Sequence, residues 1–310
     1  MERLPILFAR ILISALVLLP LTACGIYLYS PPKSLDLLNN LFPGDRDVER
    51  VAAGASFAPG LGLDVWRKGT DKAGPRPVLI FFYGGSWVKG QRGDYGFVAK
   101  AYAARGFVVV IPDYRKVPSV HFPAYIEDGA AAMRWVQDHI AQYGGDPRQI
   151  ILAGHSAGGY IAMMLALDRH YLNEAGADPH GIRAVIGLAG PYDFYPFDSQ
   201  RAIDAMGTAP DPRATQPISF ARRDAPPLLL VTGTEDKDVK PRNAIALNAR
   251  ERALGNRTTV LQNYVGMNHA DIVMALSKPF RGKAPVLDDS VRFIEQALKA
   301  DPASKAARDF

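Results

Sequence analysis

Cysteine is almost absent from this chain of 310 residues, in which Cys24 is the single example. One cysteine excludes an internal disulfide and the clustered thiolates of a structural zinc site. The six histidines also lack the close spacing of metal ligands. The sequence therefore predicts no metal site.

Long runs of like charge are absent as well. The formal net charge of +5 comes from 36 basic and 31 acidic residues, and the basic ones are scattered along the chain. Binding to a polyanion needs clustered cations, so nucleic acid is not an expected partner. With 48% hydrophobic and 22% charged residues, the composition is globular and sufficient for one large α/β domain. The sequence carries no signal for the oligomeric state.

The N-terminus has the features of an export signal. Arg3 and Arg10 precede the apolar run 11–19, and small residues follow it. The tetrapeptide 21–24, Leu-Thr-Ala-Cys, resembles the lipobox of bacterial lipoproteins, in which the cysteine accepts a diacylglycerol chain. We therefore expect Cys24 to be lipidated and to anchor the protein in a bacterial membrane.

A retained transmembrane helix is the alternative for this segment, because the apolar stretch continues through Leu28 to nearly the length that spans a bilayer. Both hypotheses predict that the rest of the chain lies on the periplasmic or other extracytoplasmic side, since positive charge stays inside. Consecutive prolines at 31 and 32 predict an extended spacer. The expected organisation is a signal or anchor over 1–24, a linker over 25–44, a folded domain over 45–300 and a tail over 301–310.

From residue 77 onward, short β-branched or aromatic runs alternate with longer amphipathic stretches, a pattern typical of parallel strands connected by helices. Strands are predicted at 77–83, 107–112, 149–153, 184–189, 228–232 and 258–264, with an earlier antiparallel edge at 50–57 and 61–67. Helices are predicted at 95–105, 124–142, 157–169, 241–254, 269–276 and 286–299. The predicted fold class is α/β, a doubly wound and mostly parallel sheet. A stretch rich in proline and aromatics, 191–227, predicts a small cap.

A nucleophile is predicted at Ser156. The strand 149–153 runs directly into Gly154-His155-Ser156-Ala157-Gly158, and an amphipathic helix follows. A G-x-S-x-G segment between a strand and a helix forms a sharp turn that exposes the serine hydroxyl. The strand before it and the helix after it make this five-residue match a specific indication of a nucleophile.

A serine hydroxyl needs a base within hydrogen-bond reach and an acid that orients this base. In this type of sheet the chain order is serine, acid, histidine, and His269 is the late candidate for the base. Asp236, in the turn that leaves the strand 228–232, is the preferred acid. Asp238 and Glu235 are near enough in sequence to compete with it.

Paired glycines follow the first central strand, at Gly84 and Gly85. Main-chain amides in such a turn can point at the oxyanion that forms when an ester carbonyl is attacked. We expect Gly84 and Gly85 to supply these donors together with the amide of Ala157, which follows the nucleophile.

A series of segments resembles the hormone-sensitive-lipase-like and carboxylesterase branch of the α/β-hydrolases, over about residues 77 to 275. They are Tyr83-Gly84-Gly85-Ser86-Trp87, Asp113-Tyr114-Arg115, Phe122-Pro123, Tyr143-Gly144-Gly145-Asp146-Pro147 and Gly154-His155-Ser156-Ala157-Gly158-Gly159. The Gly-Gly-x-Trp form is most similar to isoprenylcysteine methylesterase-like and kynurenine-formamidase-like members. The resemblance implies the α/β-hydrolase fold, esterase activity, no cofactor and a triad matching Ser156, Asp236 and His269.

Tyr83 departs from the family pattern, which usually has a histidine there that shapes the oxyanion loop through hydrogen bonds. The expected activity is hydrolysis of a small-molecule carboxylic ester through an acyl-enzyme, with Trp87, Phe194 and Tyr195 lining the substrate pocket. Three alternatives stay open: an amidase or arylformamidase with the same triad, a lipase acting on the bilayer, and a catalytically silent membrane-attached binding protein.

Overall fold

The computed structural model describes residues 31–69 and 74–300, and the strands within them form one sheet. Their bounds are β1 (Val48–Ala58), β2 (Leu61–Lys68), β3 (Arg76–Phe82), β4 (Val108–Pro112), β5 (Gly145–His155), β6 (Ile182–Leu188), β7 (Leu228–Gly233) and β8 (Val260–Tyr264). They lie in the order β1-β2-β4-β3-β5-β6-β7-β8. From β4 to β8 all neighbours are parallel, whereas β1 and β2 add an antiparallel edge. The predicted sheet is confirmed.

Helices connect these strands. Within the described residues they are α1 (Pro31–Leu41), α2 (Gly96–Ala103), α3 (Ala124–His139), α4 (Ala157–Leu167), α5 (His170–Glu174), α6 (Gln200–Met206), α7 (Arg242–Ala253), α8 (His269–Met274) and α9 (Val286–Ala300). None of them is both long and apolar enough to cross a bilayer. The sequence pattern did not predict α1, α5 or α6.

The linker predicted over 25–44 is wrong for residues 31–41, which form α1. Proline is compatible with the first turn of a helix because the amides there have no intrahelical acceptor in any case. The helix also packs on the domain: Leu35 is buried, and the buried side chain of Asn39 accepts a hydrogen bond from the amide of Lys278 at 2.7 Å. Tertiary contacts thus stabilise a helix that the two prolines only permit.

The strand order reverses direction at β3. The chain moves from β3 to β4 on one side, then crosses back to β5 on the other side. Right-handed crossovers therefore place α2 and α3 on opposite faces. Helix α9 contacts α2 and helix α4 contacts α3, so both faces are covered. Open α/β sheets bind ligands at the carboxyl ends of the strands beside such a reversal, here β3 and β5.

The segment predicted as a cap, 191–227, connects β6 to β7. It contains α6 and two short 3₁₀ helices, Pro212–Thr215 and Pro217–Phe220. The buried side chain of Asn243 fixes its first residues, because Oδ1 accepts hydrogen bonds from the amides of Tyr192 (3.0 Å) and Asp193 (2.9 Å). The cap is thereby tied to the start of α7.

Candidate active site

Ser156 occupies the sharp turn between β5 and α4. Its backbone has φ 55° and ψ −121°, a combination that residues with a Cβ rarely adopt. Close packing maintains this strain: a Cβ on Gly158 would lie 2.0 Å from the carbonyl oxygen of Phe82. The amide of Ser156 donates to the carbonyl of Leu188 at 2.8 Å. The turn that presents the hydroxyl is therefore held from two neighbouring strands.

His269 and Asp236 form a hydrogen-bonded pair, with 2.9 Å between Nδ1 and Oδ2. The side chain of Asp236 is 0% exposed, and its Oδ1 accepts the amides of Asp238 (3.0 Å) and Val239 (2.8 Å). These bonds stabilise the carboxylate, which in turn holds the histidine proton on Nδ1. Nε2 is left with the lone pair that a general base needs.

The two alternative acids differ from Asp236 in their exposure to solvent. Asp238 and Glu235 are exposed, whereas Asp236 is buried against the imidazole. The first turn of α8 holds the histidine loop through a capping box, in which Asn268 and Asp271 each accept the other's amide. Among the three candidates, Asp236 is the one whose buried carboxylate is hydrogen-bonded to His269.

His155 is a site residue that sequence reasoning missed. Its ring is buried, and its Nε2 lies 3.1 Å from the carbonyl oxygen of His269. Burial, with a smaller contribution from the neighbouring His269, lowers the pKa of His155 to about 3. The ring is therefore neutral at physiological pH and donates from Nε2. The sequence shows only an unconstrained position within G-x-S-x-G.

The loop after β3 passes directly beside Ser156. A Cβ on Gly84 would lie 2.9 Å from Nδ1 of His155 and 3.2 Å from the Cβ of Ser156. Gly85 has φ 141°, and Ser86 and Trp87 also have positive φ values of 54° and 60°. The backbone is thus folded tightly against the nucleophile.

Hydrogen bonds from Tyr83 and its neighbours hold this loop. The Tyr83 hydroxyl donates to Oδ1 of Asp113 at 3.0 Å, and Asp113 also pairs with Arg92. The hydroxyl of Tyr114 donates to the carbonyl of Tyr83 at 3.0 Å, and that of Tyr95 donates to the carbonyl of Gly84 at 3.4 Å. Burial raises the pKa of Tyr83 far above its usual range, so the phenol remains a donor. The departure from histidine thus keeps a hydrogen-bonding side chain under the loop.

A cavity of about 990 Å³ joins these parts. Ser156, His269, Gly84, Gly85 and Ala157 all line it, and Asp236 lies behind His269. The structure therefore brings together the whole predicted catalytic set. Cys24, the predicted lipidation site, lies outside the described residues.

The aromatic residues predicted to line the pocket divide into two groups. Trp87 and Phe194 line the cavity and stack on each other with 6.2 Å between ring centroids. Tyr195 does not line it: the residue is 45% exposed and its ring packs against Phe197 at 5.3 Å. The side-chain carbonyl of the buried Gln216 accepts hydrogen bonds from the amides of Phe194 (2.7 Å) and Tyr195 (3.1 Å), which holds the backbone of both residues. The prediction that Tyr195 lines the pocket is wrong.

Charged side chains that no sequence pattern indicated surround the mouth of the cavity. Its lining includes Lys89, Arg201, Lys237, Lys240 and Arg242, together with Asp94, Asp198 and Asp238. Among the described residues, Asp236, Asp238 and His269 have potential metal-ligand atoms within 4.8 Å of one another. The hydrogen bond between His269 and Asp236 already accounts for two of these three groups. The absence of a metal remains a prediction from the sequence.

Three features of this structure define the α/β-hydrolase class of proteins: a mostly parallel sheet, a strained serine turn after β5 and a histidine–carboxylate pair on two later loops. Within this class the chain belongs to the BD-FAE family, whose family model matches residues 63–250.

Among curated proteins, the chain is similar to esterase LipC of Mycobacterium tuberculosis, with 33% identity over 228 residues that cover 67% of this chain and 56% of LipC. It is also similar to the probable isoprenylcysteine alpha-carbonyl methylesterase ICMEL1 of Arabidopsis thaliana, with 27% identity over 235 residues that cover 68% of this chain and 48% of that protein. The chain spans about half the length of the curated relatives it matches.

Solved structures show the same fold at low sequence identity. An inhibited esterase B from Lactobacillus rhamnosis gives a TM-score of 0.75 at 18% identity, covering 94% of this chain and 99% of that one. A truncated carbohydrate esterase from gut microbiota gives a TM-score of 0.72 at 18% identity, covering 82% and 98%. The predicted fold and the resemblance to the carboxylesterase branch are confirmed.

Proposed function

We propose that the protein is a carboxylic ester hydrolase with Ser156 as nucleophile, His269 as general base and Asp236 as the orienting acid. One observation carries the proposal: a buried carboxylate holds His269 through Nδ1 at 2.9 Å, in the cavity that the strained Ser156 also lines. The relatives named as esterases support an ester as the substrate.

In the first half-reaction, Oγ of Ser156 attacks the ester carbonyl carbon while Nε2 of His269 takes the hydroxyl proton. The carbonyl oxygen becomes an oxyanion, which the amides of Gly84, Gly85 and Ala157 stabilise. Collapse of this intermediate breaks the bond to the alcohol, which leaves with the proton from His269. The acyl group remains on the serine.

In the second half-reaction, a water molecule gives a proton to His269 and its oxygen attacks the acyl carbon. The same amides stabilise the second oxyanion, and its collapse releases the acid and returns the proton to Ser156. Loss of one such donor typically lowers the rate about a hundredfold to a thousandfold. Trp87 and Phe194 supply an apolar wall for a small-molecule substrate.

Hydrolysis of p-nitrophenyl acetate, butyrate and octanoate by the purified full-length chain tests the proposal. Ser156→Ala is expected to abolish nitrophenol release and labelling by a fluorophosphonate probe. Ser199→Ala is the matched control, because Ser199 lines the same cavity at the start of α6. A Ser156→Ala protein that retained full activity would contradict the assignment of the nucleophile.

The competing amidase or arylformamidase activity is tested in the same assay. An activated amide and its matched ester are compared by kcat/KM. Faster turnover of the ester supports the proposal, whereas faster turnover of the amide would replace esterase by amidase with the same residues. A folded protein that hydrolysed neither and did not react with the probe would leave the silent binding protein as the better account.

We also propose that the N-terminus attaches the enzyme to a bacterial membrane on its extracytoplasmic side. The support comes from Arg3, Arg10, the apolar run 11–19 and Cys24. Membrane fractionation of the wild type and Cys24→Ser tests it: a lipoprotein loses its acyl chains and its membrane fraction on substitution. Retention of Cys24→Ser in the membrane would indicate the transmembrane alternative, and a wild type found only in the soluble fraction would contradict both.

A further inference from the structure

The mouth of the cavity carries a concentration of positive charge. Its five cationic side chains come from three separate segments and are all exposed: Lys89 from the loop after β3, Arg201 from α6 of the cap, and Lys237, Lys240 and Arg242 from the loop after β7 and the first residue of α7. They are up to 153 positions apart in the sequence, from 89 to 242. The fold therefore gathers around Ser156 cations that the sequence scatters.

Acidic side chains balance this charge only in part. Asp94, Asp198 and Asp238 are the carboxylates of the lining, so five cations and three carboxylates leave a formal charge of +2. Asp198 pairs with Lys240 at 3.3 Å, and Asp94 is buried and accepts a hydrogen bond from Gln91. Asp238 is thus the exposed carboxylate of this rim outside that ion pair.

The remaining cations have room for a ligand. In the part of the chain that the structure describes, Lys89, Lys237 and Arg242 form no ion pair with an acidic side chain. Arg201 donates from Nη1 to Oγ of Ser86 at 3.3 Å, a neutral partner on the loop beside the nucleophile. Guanidinium groups at Arg201 and Arg242 retain donors that match the two oxygens of a carboxylate or phosphate.

A cleft lined by charge of one sign focuses its field at the opening and raises the local concentration of ligands of opposite sign. A neutral ester gains nothing from this field. An ester with an anionic group several ångströms from the carbonyl gains in encounter rate and, at Arg201 or Arg242, in charge-assisted hydrogen bonds.

We propose that the cavity is selective for esters that carry a negative charge away from the scissile bond, recognised by Lys89, Arg201, Lys237 and Arg242. The inference rests on the proposed ester hydrolase function and specifies its substrate class. The two arginines act as the specificity-determining residues, whereas the lysines contribute mainly through the field.

Two pairs of substrates test the proposal in the full-length protein. Mono-p-nitrophenyl adipate and its methyl ester differ in charge at the end of the acyl group, and 4-acetoxybenzoate and its methyl ester differ in charge on the leaving group. We expect kcat/KM for the anion to exceed that for its neutral partner by about tenfold in at least one pair at low salt. The pair that responds identifies the part of the substrate that carries the charge.

The effects of salt and of substitution then show whether the positive charge causes the preference for anionic esters. The preference should fall towards unity as sodium chloride rises to about 0.5 M, where the Debye length is only a few ångströms. Arg201→Gln combined with Arg242→Gln should reduce the ratio of anionic to neutral kcat/KM at least about threefold. Arg257→Gln is the control. Arg257 is exposed and precedes β8, so it lies at the amino ends of the parallel strands, whereas the cavity lies at their carboxyl ends.

Neutral esters hydrolysed at equal or higher kcat/KM than both anionic partners would overturn the inference and leave the proposed function standing. A preference for the anionic ester that neither salt nor the double substitution reduces would likewise overturn the inference and leave the proposed function standing. If none of the four esters were hydrolysed, the proposed function itself would fail and the inference with it.

Discussion

His155 donates a hydrogen bond from Nε2 to the carbonyl oxygen of His269, across 3.1 Å and 114 positions of sequence. The two rings lie with their centroids 4.8 Å apart. The residue before the proposed nucleophile thus supports the backbone of the proposed base. One side chain thus connects the two loops that carry these proposed catalytic residues.

Replacing His155 by alanine should therefore lower kcat while Ser156 stays reactive. A displacement of about 1 Å at a reacting group is enough for a loss of about a hundredfold, and we expect a loss between tenfold and a hundredfold. His155→Gln keeps a side-chain amide donor and should retain more activity than His155→Ala. Steady-state kinetics with p-nitrophenyl butyrate check the order, and equal kcat values in all three proteins would refute the positioning role.

The same residue predicts a dependence of stability on pH. Its pKa is lowered to about 3 in the native protein, against about 6.5 in an unfolded chain. Between these values the unfolded chain binds a proton that the native chain does not, so the free energy of unfolding falls as the pH falls. One such proton gives a slope of at most about 1.4 kcal/mol per pH unit.

His155→Gln removes this titration. Urea unfolding of the wild type and the variant, followed from neutral pH to about pH 4, should show a steeper loss of stability in the wild type. Titrating groups that do not contact His155 are common to both proteins and cancel in the difference. Parallel curves for the two proteins would show that His155 does not contribute in this range.

Asp236→Asn should be the most damaging change among the three candidate acids. The amide cannot replace the buried carboxylate at 2.9 Å from Nδ1, and the wrong histidine tautomer becomes favoured. Loss of the carboxylate that orients the histidine in a serine triad lowers kcat by about a thousandfold to ten-thousandfold. Glu235→Gln is the control, because Glu235 is exposed and lies outside the cavity lining, and it should stay within a few fold of wild type. Greater damage from Asp238→Asn than from Asp236→Asn would move the acid to Asp238.

Gly158→Ala should destabilise the whole domain. The new methyl group would lie 2.0 Å from the carbonyl oxygen of Phe82, a backbone atom of β3 that cannot move alone. We expect a loss of about 3 kcal/mol in the free energy of unfolding, the upper range for overpacking, with loss of activity. Gly282→Ala has no neighbour within 4 Å of its added Cβ and should be nearly neutral in the same thermal or urea measurement. Equal stability of the two variants would contradict the close approach of α4 to β3.

Most features of the fold and the site that could be predicted depend on residues that are contiguous in the sequence. Buried parallel strands are short apolar runs, so their positions follow from composition over six or seven residues. Ser156 stands in one unbroken motif with its strand and helix, and chain order then selects His269. Asp236 needed the structure to separate it from Asp238 and Glu235, because three carboxylates within four positions are distinguished only by burial and direction.

Local rules failed where tertiary contacts outweighed them. The prolines at 31 and 32 indicated a spacer, yet packing of Leu35 and Asn39 stabilises α1. Phe194 and Tyr195 are adjacent aromatics that the sequence does not distinguish, yet in the folded cap Phe194 lines the cavity and Tyr195 is exposed.

By itself the sequence determined the fold class and the residues proposed as nucleophile and base, because each depends on residues that are neighbours along the chain or on the order in which they occur. Only the tertiary structure decided which carboxylate faces His269, that His155 contacts the backbone of the proposed base, and that Lys89, Arg201, Lys237 and Arg242 surround one opening. The physical reason is the same in all three cases. Burial and electrostatic fields depend on distance in space, and the crossovers of the sheet bring together at one edge residues that the sequence keeps far apart.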